Sequence, residues 1–332
     1  MTKLLILVIG SLWMTGILCQ DNRRGDFRIM FYNTENFFDT IDNPSTNDEE
    51  FLPDGDKNWN SYRYWNKVNK LFQVIAAAGE YRPPEIIGLC EVEGYIPLNN
   101  LIKNTPLSKY AYNIVHKDSP DRRGIDVALL CRTDKVEILY KEFIRLNYKN
   151  DTAWRSRDIL YSKLKVSDDT LHVFVNHWPS RRGGESASEK YRLLASSCLS
   201  LKTDSLLKAD KAAKIVIMGD FNDEPENESL RNLAKNGLIN LSDSLRLRYK
   251  YGTYKYRTSW DMFDQFVVSQ NLFKDDRLFT NAASLEVFRP DFLLRDDPAN
   301  GGSKPYRTFL GPRYIGGYSD HLPVLLDLYY KE

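Results

Sequence analysis

The chain has 332 residues, 42% hydrophobic and 27% charged, which gives enough apolar matter for a packed core and excludes a disordered chain. Lys and Arg number 46 against 45 Asp and Glu, a formal charge of +1, which excludes a surface coated in positive charge for indiscriminate binding to nucleic acid. Any site for a polyanion must therefore be a local patch.

Lys3 is followed by an apolar run from Leu4 to Cys19, shorter than the ~20 residues a membrane-spanning helix needs. A basic start on a short apolar segment reads as a secretory signal peptide over residues 1–20. Cys19 offers a lipid-anchored alternative, although Leu18 stands where such signals prefer a smaller residue. The rest, residues 21–332, reads as one domain that is secreted, periplasmic or held at the cell surface. It has no further transmembrane span, no obligate protein partner, and is expected to be a monomer. Cys90, Cys131 and Cys198 lack any paired metal-ligand spacing and read as buried thiols.

Phe27 to Asn33 reads as a strand and residues 39–58 as a loop. Tyr64 to Ala78 has helical spacing, with Val68, Leu71, Phe72 and Ile75 on one face. Ile86 to Cys90 is a buried strand ending at Glu91, and Asn99 to Leu107 a short helix. Val127–Cys131, Val136–Leu139 and Leu171–Asn176 are strands, Ser186–Leu207 a long helix, and Ile215–Met218 a strand before Gly219-Asp220-Phe221-Asn222-Asp223. A short helix near 226–235 follows. Residues 251–269 read as a hairpin whose second strand is Met262–Val268, and Val324–Leu328 is the last strand. No repeat or linker divides the chain. Apolar strands with few long helices predict an α/β protein of the α+β type, sheets face to face with helices outside.

The polar candidates stand where apolar strands end, which is where such architectures place ligands. Glu91 is either a metal ligand or a loop acid, with Glu93 as a decoy. Asp220 and Asn222 flank Phe221, so both point one way while the ring anchors in the core; Asp223 reads as a turn residue. His177 ends a strand before a basic loop containing Arg181 and Arg182. There the imidazole can give a proton to a leaving oxygen and the arginines can hold phosphate oxygens. Asp264, within an apolar strand, needs a partner, and His321 is the choice; Asp126 is the analogous partner for His177. His172 reads as structural and His116 is open. The stretch Arg246–Arg257 interleaves basic and aromatic groups, as a base-stacking surface or a solvated strand face would.

In this order the motifs resemble the endonuclease/exonuclease/phosphatase superfamily, in its deoxyribonuclease-like branch. The match comprises Asn33, Glu91, His177, Asp220 and Asn222, Asp264, and Ser319-Asp320-His321. The resemblance implies a four-layer sandwich of two mixed β-sheets flanked by helices. It further implies that Glu91, supported by Asn33 and Asp320, holds Mg2+ or Mn2+, and that Asp220 activates a water. Asn222 then steadies the phosphoryl group, and His321, oriented by Asp264, neutralises charge on it. His177 stands where abasic-site enzymes carry Tyr. With Arg122, Arg123, Arg155, Arg157, Arg181 and Arg182 near these segments, the implied substrate is DNA or RNA. The alternatives are a small phosphorylated metabolite, a lipid headgroup, or binding without catalysis.

Overall fold

The structure, a computed structural model, describes residues 24–249, 251–274 and 277–331. The expected signal peptide and Cys19 lie outside the described residues, as do the side chains of residues 246–250. From the N-terminus the chain forms β1 (Phe27–Phe37), α1 (Ser61–Gly79), β2 (Ile86–Val92), α2 (Tyr95–Lys103), β3 (Tyr112–His116) and β4 (Asp126–Arg132). There follow β5 (Val136–Ile144), β6 (Ile159–Val166), β7 (Asp169–His177), α3 (Glu185–Ala209), β8 (Lys214–Asp220), α4 (Glu228–Leu233), β9 (Leu238–Asn240) and α5 (Ser242–Tyr249). The last third adds β10 (Tyr254–Tyr256), β11 (Ser259–Asp261), β12 (Asp264–Ser269), β13 (Leu278–Phe279) and β14 (Leu285–Val287). Two ribbons, β15 (Leu294–Asp296) with β16 (Ser303–Pro305) and β17 (Phe309–Leu310) with β18 (Arg313–Tyr314), precede β19 (Val324–Tyr330).

Two mixed sheets result. One runs β13-β19-β1-β2-β4-β3, with β14 also on β19; the other runs β5-β6-β7-β8-β12-β9. Strands such as Ile86–Cys90 are buried on both faces, so they need apolar residues at successive positions rather than alternate ones. The sheets meet over one large core, and the outer face of the second sheet buries Phe174, Ile215 and Ile217 against Ala195 and Leu199 of α3. On the other side α1 buries Val68, Leu71 and Ile75, and starts where the Asn60 side chain accepts from the Arg63 amide. This is the four-layer sandwich that the family resemblance implies. Between the sheets Gly88 leaves room for Met218, whose Cε would lie 2.6 Å from an added Cβ.

The helix expected at Asn99–Leu107 lies earlier, at Tyr95–Lys103, because Pro106 cannot continue it and opens a separate 3-10 turn. The expected hairpin over 251–269 divides in two. Tyr254–Tyr256 pairs with Ser259–Asp261, while Asp264–Ser269 turns inward to pair with β8. The apolar run Phe266–Val268 is fully buried, and a surface ribbon would have left it in water. Cys90 and Cys131 are buried free thiols, and Cys198 is a partly exposed one.

Gly219 sits beside Asn176 on the parallel pair β7–β8, one residue before the pair His177–Asp220. An added Cβ there would lie 2.5 Å from the Asn176 carbonyl oxygen, backbone that cannot swing aside. Gly219→Ala is therefore expected to push the two strands apart, lowering stability by about 1–3 kcal/mol as overpacking does. It should also separate His177 from Asp220. Chemical denaturation checks the first effect, and loss of turnover in protein that is still folded checks the second.

Candidate active site

Strands β1 and β2 run parallel, β7 and β8 run parallel, and β12 begins opposite the end of β8. This topology delivers Asn33, Glu91, His177, Asp220 and Asp264 to one edge of the sandwich. The loop Ser319-Asp320-His321 closes over them, pinned where Ser319 Oγ donates to the Asn33 carbonyl and accepts from the His321 amide. A cavity of about 810 Å3 opens there, and Glu91, His177, Asp220, Asn222, Asp320 and His321 line it.

Asp220 is the centre of the group. Its Oδ1 accepts the Asn222 amide at 3.0 Å, and its Oδ2 accepts Asn33 Nδ2 at 3.0 Å. The same Oδ2 lies 3.8 Å from His177 Nε2 and 3.9 Å from His321 Nε2. Burial pushes the Asp220 carboxyl up to about 7, against the pull of His321. Phe221 packs in the core and turns the chain so that Asn222 adopts a left-handed conformation, φ 51°. Asn222 spends one amide hydrogen on the Trp178 carbonyl at 3.1 Å and faces the cavity.

The two imidazoles are shifted in opposite directions. Burial pulls His321 down, but the Asp264 and Asp220 carboxylates outweigh it and hold the ring well above its usual range. The link is direct, since His321 Nδ1 donates to Asp264 Oδ2 at 2.7 Å. Asp264 is fully buried and its amide donates to Thr253 Oγ1, while the Tyr254 ring covers His321 at 4.9 Å between centroids. His177 is held well below its usual range, first by burial and then by the charges of Arg157, Arg123 and His321. These opposite shifts favour His321 over His177 as the ring that holds a proton.

Asp126 is not the partner of His177. A bulge between Cys90 and Val92 shifts the β2–β4 register so that Asp126 pairs with Val92. Its Oδ2 lies 3.4 Å from His116 Nε2, and its Oδ1 accepts from the Ser119 amide and hydroxyl. It stands outside the catalytic cavity, and His177 Nδ1 is buried with no hydrogen-bond partner among the described residues. Sequence could place Asp126 at a strand start but could not see the bulge that turns it away.

Two of the arginines expected to hold phosphate are committed elsewhere. Arg157 is buried and bonds the carbonyls of His177 and Trp178 and the Asp121 carboxylate, so it braces the strand end. Arg181 bonds the Asn222 carbonyl, Asp223 and Asn227, with its plane over Phe263. Arg182 lines the cavity and has no such bond among the described residues. Asp223, read as a turn residue, is a buried anchor that meets Arg192 at 2.7 Å. In the basic-aromatic stretch Tyr254 and Tyr256 line the cavity, whereas Lys255 is tied to Asp297 at 3.2 Å.

Two groups of acidic and histidine side chains among the described residues lie close enough to hold a metal ion, Asp220-Asp264-His321 and His116-Asp118-Asp126. In the first, the bond between Asp264 and His321 already accounts for the closeness. Glu91 is better suited. It is held in a left-handed conformation, φ 58°, that turns its carboxylate into the cavity, with Oε2 on the Asn36 amide at 2.9 Å. Asp320 shares that cavity, and two carboxylates make an oxygen donor set that suits a hard divalent cation. Asn33 is placed beneath them, its Oδ1 accepting the Glu35 amide and its Nδ2 on Asp220, so it steadies the carboxylate of β8.

Sequence reasoning missed Glu35 and Arg307. Arg307 bridges Glu35 Oε1 at 3.1 Å and Asp320 Oδ2 at 3.0 Å, fixing the cavity acid from behind. Glu35 is buried, which together with Asp320 raises it to about 7. Its position two residues after Asn33 was the one available signal; Arg307 lies in a stretch without periodicity.

A family model described as the endonuclease/exonuclease/phosphatase family matches residues 28–330. The human Nocturnin catalytic domain with bound sulfate superposes with a TM-score of 0.56 at 16% identity, covering 92% of this chain and 94% of that one. The D. rerio TDP2 complexed with single strand DNA product gives 0.53 at 14%, covering 91% and 98%. The mannosyl-6-phosphatase of Bacteroides thetaiotaomicron VPI-5482 gives 0.52 at 17%, covering 92% and 100%. At these identities the likeness is one of fold. No curated protein sequence matches the chain.

Proposed function

We propose, from the premise that this chain belongs to the endonuclease/exonuclease/phosphatase family, that it is a metal-dependent phosphodiester hydrolase acting on nucleic acid. Membership makes it a hydrolase of phosphate ester bonds. What carries the finer reading is the site's geometry: Asp220 Oδ2 stands 3.8 Å from His177 Nε2 and 3.9 Å from His321 Nε2, in a cavity that Arg122, Arg123, Arg155 and Arg182 also line.

A general base works best when its pKa lies near the working pH, and Asp220 meets that condition. Deprotonated, it accepts the proton of a water placed in the cavity, while Asn33 and the Asn222 amide hold the carboxylate in position. His321, kept protonated by Asp264, presents Nε2–H to a phosphoryl oxygen and meets the charge that builds there. Asn222 has a second amide hydrogen for the same group. His177 Nε2, 3.8 Å from Asp220 Oδ2, offers a further hydrogen bond at the same place. Glu91 and Asp320 would hold Mg2+ or Mn2+, which supplies Lewis-acid stabilisation of a phosphoryl oxygen when bound. No nucleophilic side chain is needed: the water oxygen bonds to phosphorus as the P–O bond to the departing ester oxygen breaks, and that oxygen takes up a proton from solvent.

The apolar N-terminal run with its basic start supports export of the protein, which N-terminal sequencing of the secreted form would check.

The test is hydrolysis of plasmid DNA, RNA, a plain phosphodiester and a phosphomonoester, with Mg2+ or Mn2+ and with a chelator. Diester and nucleic-acid cleavage that the chelator stops is the expected result. Cleavage of monoesters alone would replace this reading with a phosphatase, and silence throughout would leave a binding protein.

A further inference from the structure

The catalytic cavity does not end at the chemistry. Its His177 flank is lined by Arg122, Arg123, Arg155 and Arg182, and among the described residues only Arg123 of these four meets a carboxylate of the lining. Asp121 is taken up by Arg157 at 2.9 Å, leaving Arg123 3.8 Å from it. Arg122 bonds one carbonyl, that of Ala153, and Arg155 two, those of Thr152 and Trp154. Among the described residues neither has a carboxylate partner. In a chain of formal charge +1, unpaired guanidinium groups gathered along one wall call for an anion.

Arg122 and Arg155 have a further property of place. Both also line a second cavity of about 300 Å3, so they stand where the two join. Beyond them that cavity is walled by Asn43, Ser45, Thr46 and Ser119 together with acids, among them Asp118 and Asp126. Carboxylates repel a phosphate but accept hydrogen bonds from hydroxyls, as the Asn and Ser side chains also can. The wall therefore changes from anion-binding at the junction to hydroxyl-binding beyond it.

We infer that Arg122 and Arg155 form a subsite for a second phosphate of the substrate, adjoining the scissile one, with the sugar attached to it entering the neighbouring polar cavity. The inference rests on the phosphodiesterase reading and narrows it: the substrate is a strand extending past the His177 flank. Guanidinium forks bind phosphate oxygens in pairs, so this subsite acts on affinity.

The experiment compares a dinucleotide carrying an additional terminal phosphate with the same dinucleotide lacking it. Binding of both to Asp220→Asn protein is measured by calorimetry, independently of any turnover. We expect the additional phosphate to tighten binding at least tenfold, and the advantage to vanish in Arg122→Ala/Arg155→Ala on the same background. The Arg122→Lys/Arg155→Lys protein should keep part of it, and thermal melting should show each variant folded. Equal binding of the two dinucleotides, or an advantage that survives both alanines, would overturn the inference. Hydrolysis of a plain diester by the unmodified protein reads the phosphodiesterase assignment separately, so the two can fail independently.

Discussion

Asp220→Asn is expected to lower turnover by about 10²–10⁴-fold, the range for losing a positioned general base. The amide fills the same space and still accepts one of the two hydrogen bonds from Asn33 and the Asn222 amide, but it cannot take a proton from water. The sign of the pH effect follows from the shift. The folded-state carboxyl titrates at about 7, above its ordinary value, so it must lose a proton before it can act. Wild-type kcat/KM should climb with pH and level off above about 7, and the residual activity of the variant should lack that limb. The same shift acts on stability. A carboxyl raised on folding contributes stability that is full below its unfolded pKa and lost as pH rises through the folded one. Asparagine removes that loss, so at pH 8 the variant should melt at or above the wild-type temperature.

His321→Gln is expected to cost about 10²–10³-fold in kcat, as does removal of one donor aimed at developing negative charge. Asp264→Asn provides the sharper form of the test. Burial alone would strip His321 of its proton, and the Asp264 carboxylate outweighs that effect from 2.7 Å. Replacing it with an amide weakens the hold on that proton, so the alkaline limb of the pH profile should move to lower pH, and the acid limb should move as well because Asp264 is one of the charges that raise Asp220. A structural role for Asp264 would instead lower the whole profile without moving either limb.

Much of this arrangement is legible in the sequence because strand ends are. Ile215–Met218 before Asp220, and Ile86–Cys90 before Glu91, are apolar runs that can only be interior strands, and a polar residue ending such a run must face the sheet edge. Asp264 could be paired with His321 because a carboxylate in an apolar strand needs a partner. The rest depends on contacts between distant segments. The bulge at Cys90 turned Asp126 toward His116. The donors of Arg157 were claimed by carbonyls of its own scaffold, which no charge pattern records. Burial lowers both imidazoles, and what sets His321 apart from His177 is the pair of carboxylates beside it, where His177 has cationic neighbours, a difference that no motif records.

The stereochemical course at phosphorus tests the central claim most directly. A phosphorothioate diester of known configuration, cleaved in isotopically labelled water, would report whether the Asp220-activated water attacks phosphorus in a single step. Inversion of configuration is the predicted result. Retention would require a covalent intermediate on the protein and would contradict the role given to Asp220.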